Sequence, residues 1–424
     1  MKILMLGWEL PPHISGGLGI ASEGIAQGLA KKGNDVDFFL PKKRNTHLGG
    51  LYKIKAANRM QPDVKLWRKK TTHIQTLIET DMGVRLIPYL PAQIFEIARE
   101  KQVIVEEIKE SEETALLKNI ELSGTYHQDL NNEISKYALL ATQHAMSKKY
   151  DVIHAHDWVT FKAGRMASKE TGIPLYTHCH STEYDRNAAY AQPFVIEEER
   201  LGFEQSKIIF CVSNQLKQTI IDKYKIKANK IIVVPNACEV SSAKIPQPKN
   251  KTKQVVFIGR LTNQKNPIAF IDIARDLISH GLECEFTMIG DGHMMNDLKK
   301  KVAQINLTSR FKFPGFLPQT DVLKRLEKSD LLIVPSSSEP FGLVILEGVL
   351  KKIPVVAAIG TGVAEFIPSL PQIPLWDHYN FVKLAERLLS DSTFSAAVTT
   401  QCHKEASALS WAKSAGIIEK AYQA

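Results

Sequence analysis

Short apolar runs alternate with longer amphipathic stretches along the whole of this chain, and the rhythm breaks once. Runs such as Lys2–Leu6 and Val152–Ala155 are too short for helices and mostly lack a polar residue at every second position. They read as strands buried on both faces. Such strands belong to parallel sheets, whose crossover helices cover both sides. The other candidates in the first series are Val36–Leu40, Val84–Pro88, Leu175–His178, Ile208–Val212 and Ile231–Val234. Residues 241–251 then interrupt with a polar stretch carrying Pro246 and Pro248, the composition of a linker. The alternation restarts with Val255–Ile258, Glu285–Ile289, Phe311–Pro314, Leu331–Val334 and Pro354–Ala357. The fold class expected is α/β, with doubly wound parallel sheets in a domain over 1–240, a linker over 241–252 and a second domain from 253. Ligands of open sheets sit beyond the carboxyl ends of the strands, so functional residues are expected there, around a common crevice.

Bulk properties narrow the class further. A length of 424 residues suits two domains, and 44% hydrophobic with 23% charged residues is ordinary for a globular protein. No apolar run is long enough to cross a bilayer, and the run at the amino end stops at Gly7-Trp8-Glu9, too early for a signal peptide. A soluble protein is expected. Cys179, Cys211, Cys238, Cys284 and Cys402 have no metal-like spacing and suit free thiols in a reducing, cytoplasmic compartment. The net charge of +9 is concentrated in 42–70, where lysines and arginines face Asp63 alone. That strip would suit anionic lipid at the inner face of a membrane or an acidic acceptor, while charged strips of this kind are more often only solvated. Nucleic acid is not expected as a partner, because no helix-turn-helix, zinc or aromatic-platform pattern accompanies the charge. Residues 96–133 read as an acidic helical insertion of unreadable role.

The strand ends carry the chemistry. After the first strand come Trp8-Glu9-Leu10-Pro11-Pro12 and Gly16-Gly17-Leu18-Gly19, leading into a helix over 20–31. Glycines and a helix N-terminus let backbone amides approach an anion, although such a loop is as often a plain turn. A dinucleotide fingerprint would need glycine where Ser22 stands. His154-Ala155-His156-Asp157-Trp158 and His178-Cys179-His180-Ser181-Thr182-Glu183 end two further strands. His178 and His180 share one face of an extended segment without a convincing third ligand, so hydrogen bonding to a sugar, or histidines satisfied by backbone, is expected rather than zinc.

In the second series, Gly259-Arg260 and Lys265 bring two cations to one strand end, suited to neutralising a diphosphate. Gly290-Asp291-Gly292 and Gly315-Phe316-Leu317 are further strand-end turns, the second offering a surface for a base. The strongest signal is Ser336-Ser337-Ser338-Glu339-Pro340-Phe341-Gly342-Leu343, with Glu347 and Gly348 farther along the helix. Gly342 leaves the amides of a helix N-terminus open to phosphate or sugar oxygens, and a carboxylate at Glu347 in an apolar helix implies a ligand for that charge.

Together these motifs resemble the large family of retaining GT-B-fold glycosyltransferases, family 4 or glycosyl transferases group 1, with its glycogen and starch synthase-like members. The resemblance covers nearly the whole chain. It implies two Rossmann-like domains facing a central cleft, the second over 253–405, and a closing helix over 406–424 that returns to the first. It implies that Arg260 and Lys265 hold a donor diphosphate, that Glu339 contacts the transferred sugar and that Glu347 takes the ribose hydroxyls. Backbone at Phe341, Gly342 and Leu343, with Gly16, Gly17 and Leu18, would meet sugar and phosphate oxygens. Gly259, Gly290, Gly292, Phe316 and Leu317 would complete the donor pocket, His180 would face the reacting sugar, and Trp8, Glu9, Asp157 and Glu183 would lie on the acceptor side. The implied reaction moves a hexose, glucose-type, from a nucleotide-sugar to a hydroxyl of a glycan, lipid or small molecule, with no cofactor and no metal.

Three positions depart from the pattern. Ile14 stands where glycogen synthases carry lysine, Asn266 where glycine is usual after the lysine, and Ala237 follows Pro235-Asn236 in place of glycine. The first puts glycogen elongation from ADP-glucose in doubt. Asp35-Val36-Asp37 opens a strand rather than ending one and does not read as a divalent nucleotide site. Paired carboxylates at Glu339 and Glu347 would also serve a glycoside hydrolase or a phosphorylase. A hydrolase would leave the two cations without a task. A non-catalytic nucleotide-sugar-binding protein is the remaining alternative.

Overall fold

The computed structural model describes residues 1–12, 16–44, 50–60, 122–124, 126, 130–187, 190–239 and 252–424. Outside that set lie the strand expected at Val84–Pro88, the linker over 241–251, much of the basic strip and most of the 96–133 insertion. By contact the chain divides into two compact units. One is 1–9, 33–178 and 201–207; the other is 10–32, 179–200 and 208–424.

The first sheet is wholly parallel and seven-stranded: β1 Lys2–Leu6, β2 Asp35–Leu40, β3 Lys53–Ala56, β4 Val152–His156, β5 Leu175–Cys179, β6 Ile208–Cys211 and β7 Ile231–Val233. Its order is β3-β2-β1-β4-β5-β6-β7, so the winding reverses between β1 and β4. Six of these strands fall on expected runs, since residues buried on both sides leave a continuous apolar signature. β3 does not. Its sequence Lys53-Ile54-Lys55-Ala56 sits at the sheet edge, where Lys53 donates to Asp35 at 2.7 Å. Part of the basic strip is therefore an edge strand whose lysines keep it from pairing further.

The second sheet holds β8 Lys253–Ile258, β9 Cys284–Ile289, β10 Phe311–Gly315, β11 Leu331–Val334, β12 Val355–Ala358 and the two-residue β13 Gln372–Ile373. The order β10-β9-β8-β11-β12-β13 reverses between β8 and β11. Phe257, Phe270, Phe286 and Phe311 form its aromatic centre, with the Phe286 and Phe311 rings stacked at 5.0 Å. Burying each such ring contributes roughly 1.5–3 kcal/mol.

Some helix starts are capped by side chains and others, such as those of Gly17–Lys31, Pro267–Ser279 and Leu343–Leu350, are not. Ser213, Asp377, Asp391 and Ser410 each accept a backbone amide from the first turn of the helix they precede. The helix Leu343–Leu350 is built otherwise. It begins at Gly342, held left-handed at φ 100°, without a side-chain cap and without an acidic residue in its first turn.

The closing helix Trp411–Gln423 packs on the helix Gly17–Lys31, which starts three residues earlier than expected and so takes in Gly17, Leu18 and Gly19. The packing is close because Gly24 and Gly28 have no side chains. A Cβ at Gly24 would fall 2.1 Å from the Trp411 ring, and one at Gly28 would fall 2.7 Å from the Trp411 carbonyl. Ser414 donates to the Pro235 carbonyl at 2.6 Å, and Tyr422 meets Phe210 edge-on. Among the described residues no helix is long and apolar enough to cross a membrane.

Candidate active site

The turn after β8 sets both expected cations. Residues Asn263–Lys265 form a single 3-10 turn, ended by Asn266 in the left-handed region at φ 49°. That conformation explains the usual glycine there and why asparagine can replace it: it is among the few side chains that visit this region readily. Lys265 Nζ donates to Glu339 Oε2 at 2.6 Å, with the carboxylate largely buried. Arg260 is exposed and, among the described residues, has no ionic partner. Its Nη2 donates to Gln264 Oε1 at 3.3 Å. One turn thus presents an ion pair and an uncompensated guanidinium.

The loop after β11 lies against that turn. Ser337 donates from both N and Oγ to the Gln264 carbonyl, at 2.8 and 3.1 Å, and Gln264 Nε2 donates to the Ser338 carbonyl at 3.3 Å. Glu339 is bridged in parallel to Thr361, and its carbonyl accepts from Gly362 N at 2.8 Å. The Pro340 carbonyl accepts from Ser213 Oγ at 2.7 Å, while the Phe341 carbonyl accepts from Val363 N. Backbone bonds on both sides therefore fix Glu339 just ahead of the uncapped helix start at Gly342. A helix entered this way leaves its first amides for an anion.

Glu347, on the same helix, is almost wholly enclosed. Burial pushes its carboxyl up to about 7, partly offset by Gln319 Nε2, which donates to Oε1 at 2.6 Å. Lys351, one helical turn on, forms a short ion pair with Glu327. The buried charge foreseen at Glu347 does have a protein partner, a neutral amide, which leaves the second carboxylate oxygen for another donor.

The glycine turns have packing reasons of their own. Gly290 sits at φ 135°, and a Cβ there would lie 1.9 Å from the Gly259 carbonyl; one at Gly292 would lie 2.4 Å from that of Leu261. The two turns are thus pressed onto the Arg260 turn. Phe316 is exposed and Leu317 half-buried.

Two loops from the first sheet lie in the same compact unit. Gly17 faces Leu343 closely enough that a Cβ would come within 3.1 Å of its side chain. Beyond β5, His180 stands past the strand end, and desolvation pushes its imidazole down to about 3, leaving it neutral at ordinary pH. Asp185 accepts from Thr182 N and Oγ1 at 2.8 and 2.7 Å, and from Ser338 Oγ at 3.1 Å, so it ties the His180 loop to the Glu339 loop. Glu183 is occupied otherwise: its carboxylate takes bonds from Asn187, Gln192 and Arg186, and Arg186 also binds Glu199.

The other unit holds Trp8, packed edge-on against Tyr137, together with buried Glu9 and Asp157. Asp157 begins a helix at φ 56°, a conformation costing about 1–3 kcal/mol and retained mostly where function or packing demands it. His178 lies with His154 and His156 from the neighbouring strand. The three rings are fully buried, with candidate ligand nitrogens within 4.8 Å of one another. They stack at centroid distances of 4.6, 5.4 and 5.3 Å with interplanar angles of 8, 12 and 16°.

Asp37, from the Asp-x-Asp sequence, is buried, accepting from Lys148 and Tyr150. Burial alone would raise its carboxyl, but the interactions with His144, Lys148 and Tyr150 favour the ionised form and together outweigh it, holding the carboxyl well below its usual range.

Comparison with known proteins bears on the fold and on the class of enzyme. Residues 241–392 match the family model described as Glycosyl transferases group 1, and residues 115–242 match Glycosyltransferase Family 4. An uncharacterised glycosyltransferase of Methanocaldococcus jannaschii is 25% identical, the alignment covering 96% of this chain and 93% of that one. Glycogen synthase of Mycobacterium tuberculosis is 23% identical over 87% of this chain and 80% of its own. Among solved structures, sucrose-phosphate synthase from Thermosynechococcus elongatus superposes with a TM-score of 0.72 at 16% identity, covering 100% of this chain and 98% of that one. The Anabaena protein HepE, in complex with UDP and glucose, gives 0.69 at 17% identity, covering 99% and 98%. Fold and site define a transferase of GT-B architecture. Two glycosyltransferase family models meet end to end over residues 115–392, and the chain is a glycosyltransferase.

Proposed function

We propose that this enzyme is a retaining transferase that moves a hexose, glucose-type, from a nucleotide-sugar to a hydroxyl of a glycan, lipid or small molecule. The observation that carries the reading is the packing of the Arg260–Lys265 turn against the Glu339 loop, immediately before the uncapped helix start at Gly342. A diphosphate leaving group needs fixed positive charge where its bond to the anomeric carbon breaks. Arg260 supplies a cation without a carboxylate to cancel it. Lys265, held by Glu339, supplies a second whose partner would touch the transferred sugar.

Glu347 would accept from the ribose hydroxyls. Backbone at Gly16, Gly17, Phe341, Gly342 and Leu343 would meet phosphate and sugar oxygens. Neutral His180 would hydrogen-bond to the reacting sugar without adding a second positive charge beside a centre that becomes cationic. With the incoming hydroxyl on the leaving group's face, the departing phosphate takes its proton, and no protein nucleophile and no metal are required. The bound UDP and glucose of HepE favour this class of donor.

The test is a thermal-shift panel of UDP-, GDP- and ADP-sugars run in excess EDTA, with product configuration read by NMR. A donor at about 100 times its dissociation constant should add about 2.7 kcal/mol of stability. Products should keep the donor's anomeric configuration. An inverted product, or binding that vanishes with EDTA, would contradict the proposal.

A further inference from the structure

We propose that Gln264 is a positioning residue for Arg260, fixing the guanidinium relative to the Glu339 loop. The inference rests on the donor-diphosphate reading of Arg260. Gln264 is buried beside an exposed arginine and contributes at both ends of its side chain: Oε1 accepts from Arg260 Nη2, and Nε2 donates to the Ser338 carbonyl. Its own carbonyl accepts twice from Ser337. The residue thereby joins the β8 turn to the β11 loop immediately before Glu339, and Asp185 holds the other side of Ser338.

A carboxamide is the side chain this place calls for. It accepts at one end and donates at the other, and, being neutral, it orients Arg260 without cancelling the charge that would meet the diphosphate. Glutamate would keep the acceptor but place a negative charge on Arg260 and another lone pair against the Ser338 carbonyl. Methionine would fill the volume and keep neither bond. Arginine offers five donors, so one bond to Gln264 leaves the rest of the fork for phosphate oxygens.

The experiment compares the parent with Gln264→Met, Gln264→Glu, Arg260→Ala and the double variant Arg260→Ala/Gln264→Met. Rates are measured with UDP-, GDP- and ADP-glucose in parallel, and melting temperatures on the same preparations. Because small misplacements of a catalytic group cost up to about 100-fold, Gln264→Met should lower kcat about tenfold or more with its melting temperature within a few degrees of the parent. In the Arg260→Ala background the same change should cost less than about twofold, since there is no guanidinium left to place. Gln264→Glu should retain more kcat than Gln264→Met and raise the donor KM. A slow Arg260→Ala beside an unimpaired Gln264→Met would overturn this inference alone. So would an equal loss from Gln264→Met in both backgrounds, the mark of a purely structural role. A normal kcat in Arg260→Ala would overturn the reading of Arg260, and this inference with it.

Discussion

Glu347 is a residue whose ionisation the fold controls through burial. Its carboxyl, near 4.5 in an unfolded chain, is pushed up to about 7 by burial. The folded state therefore holds a proton that the unfolded state has already released. The stability this contributes is complete below about pH 4.5 and is lost as pH rises through about 7. A shift of that size corresponds to about 3 kcal/mol. Urea unfolding of the parent should show stability falling over this window, and Glu347→Gln should flatten the fall and be the more stable protein at pH 8. If ribose hydroxyls donate to the ionised form of Glu347, as proposed, donor binding should run the other way: affinity should rise between pH 6 and pH 8 in the parent and not in Glu347→Gln. A pH-independent donor affinity in the parent would remove Glu347 from the ribose.

At the scale of elements, the stacking of the first and last helices depends on two missing side chains. Placing a methyl at Gly24, 2.1 Å from a rigid indole, forces the helices apart, and overpacking of this kind costs about 1–3 kcal/mol. Gly24→Ala should show that loss in urea unfolding; an unchanged midpoint would mean that the closing helix is only loosely held. The legibility of the sequence divides along the same physical line. Central strands such as β1, β11 and β12 are buried on both faces and announce themselves by apolar runs. β3 escapes that signal because edge lysines replace half of its residues, and β13 escapes it because two residues carry no period. The cations, the two glutamates and the glycine turns were readable as types at strand ends. Gln264, Asp185, Ser338 and Gln319 were not, because their bonds join residues as far apart as Asp185 and Ser338, and a polar residue in a loop gives no hint of a distant partner. The stacking of His178 with His154 and His156 was hidden for the same reason, because those two rings come from the adjacent strand.

Across the whole molecule, two parallel sheets each reverse their winding, and the loops assembled in the larger unit come from both. The loop after β1 reaches Leu343, the loop after β5 is tied to Ser338, and Glu365 accepts from Asn214 N and Gln215 N at the start of the helix after β6. That assembly surrounds one function in this account, which is to meet negative charge as a donor's glycosidic bond to diphosphate breaks. The measurement that tests it most directly is kcat for donor turnover in Arg260→Ala and Lys265→Met, with Glu347→Ala as the reference. Each cation variant should lose about 100-fold or more in kcat as well as donor affinity. Glu347→Ala, acting at the ribose away from the breaking bond, should mainly raise the donor KM. Arg260→Ala and Lys265→Met both within a few-fold of the parent in kcat would contradict the account and put the diphosphate elsewhere.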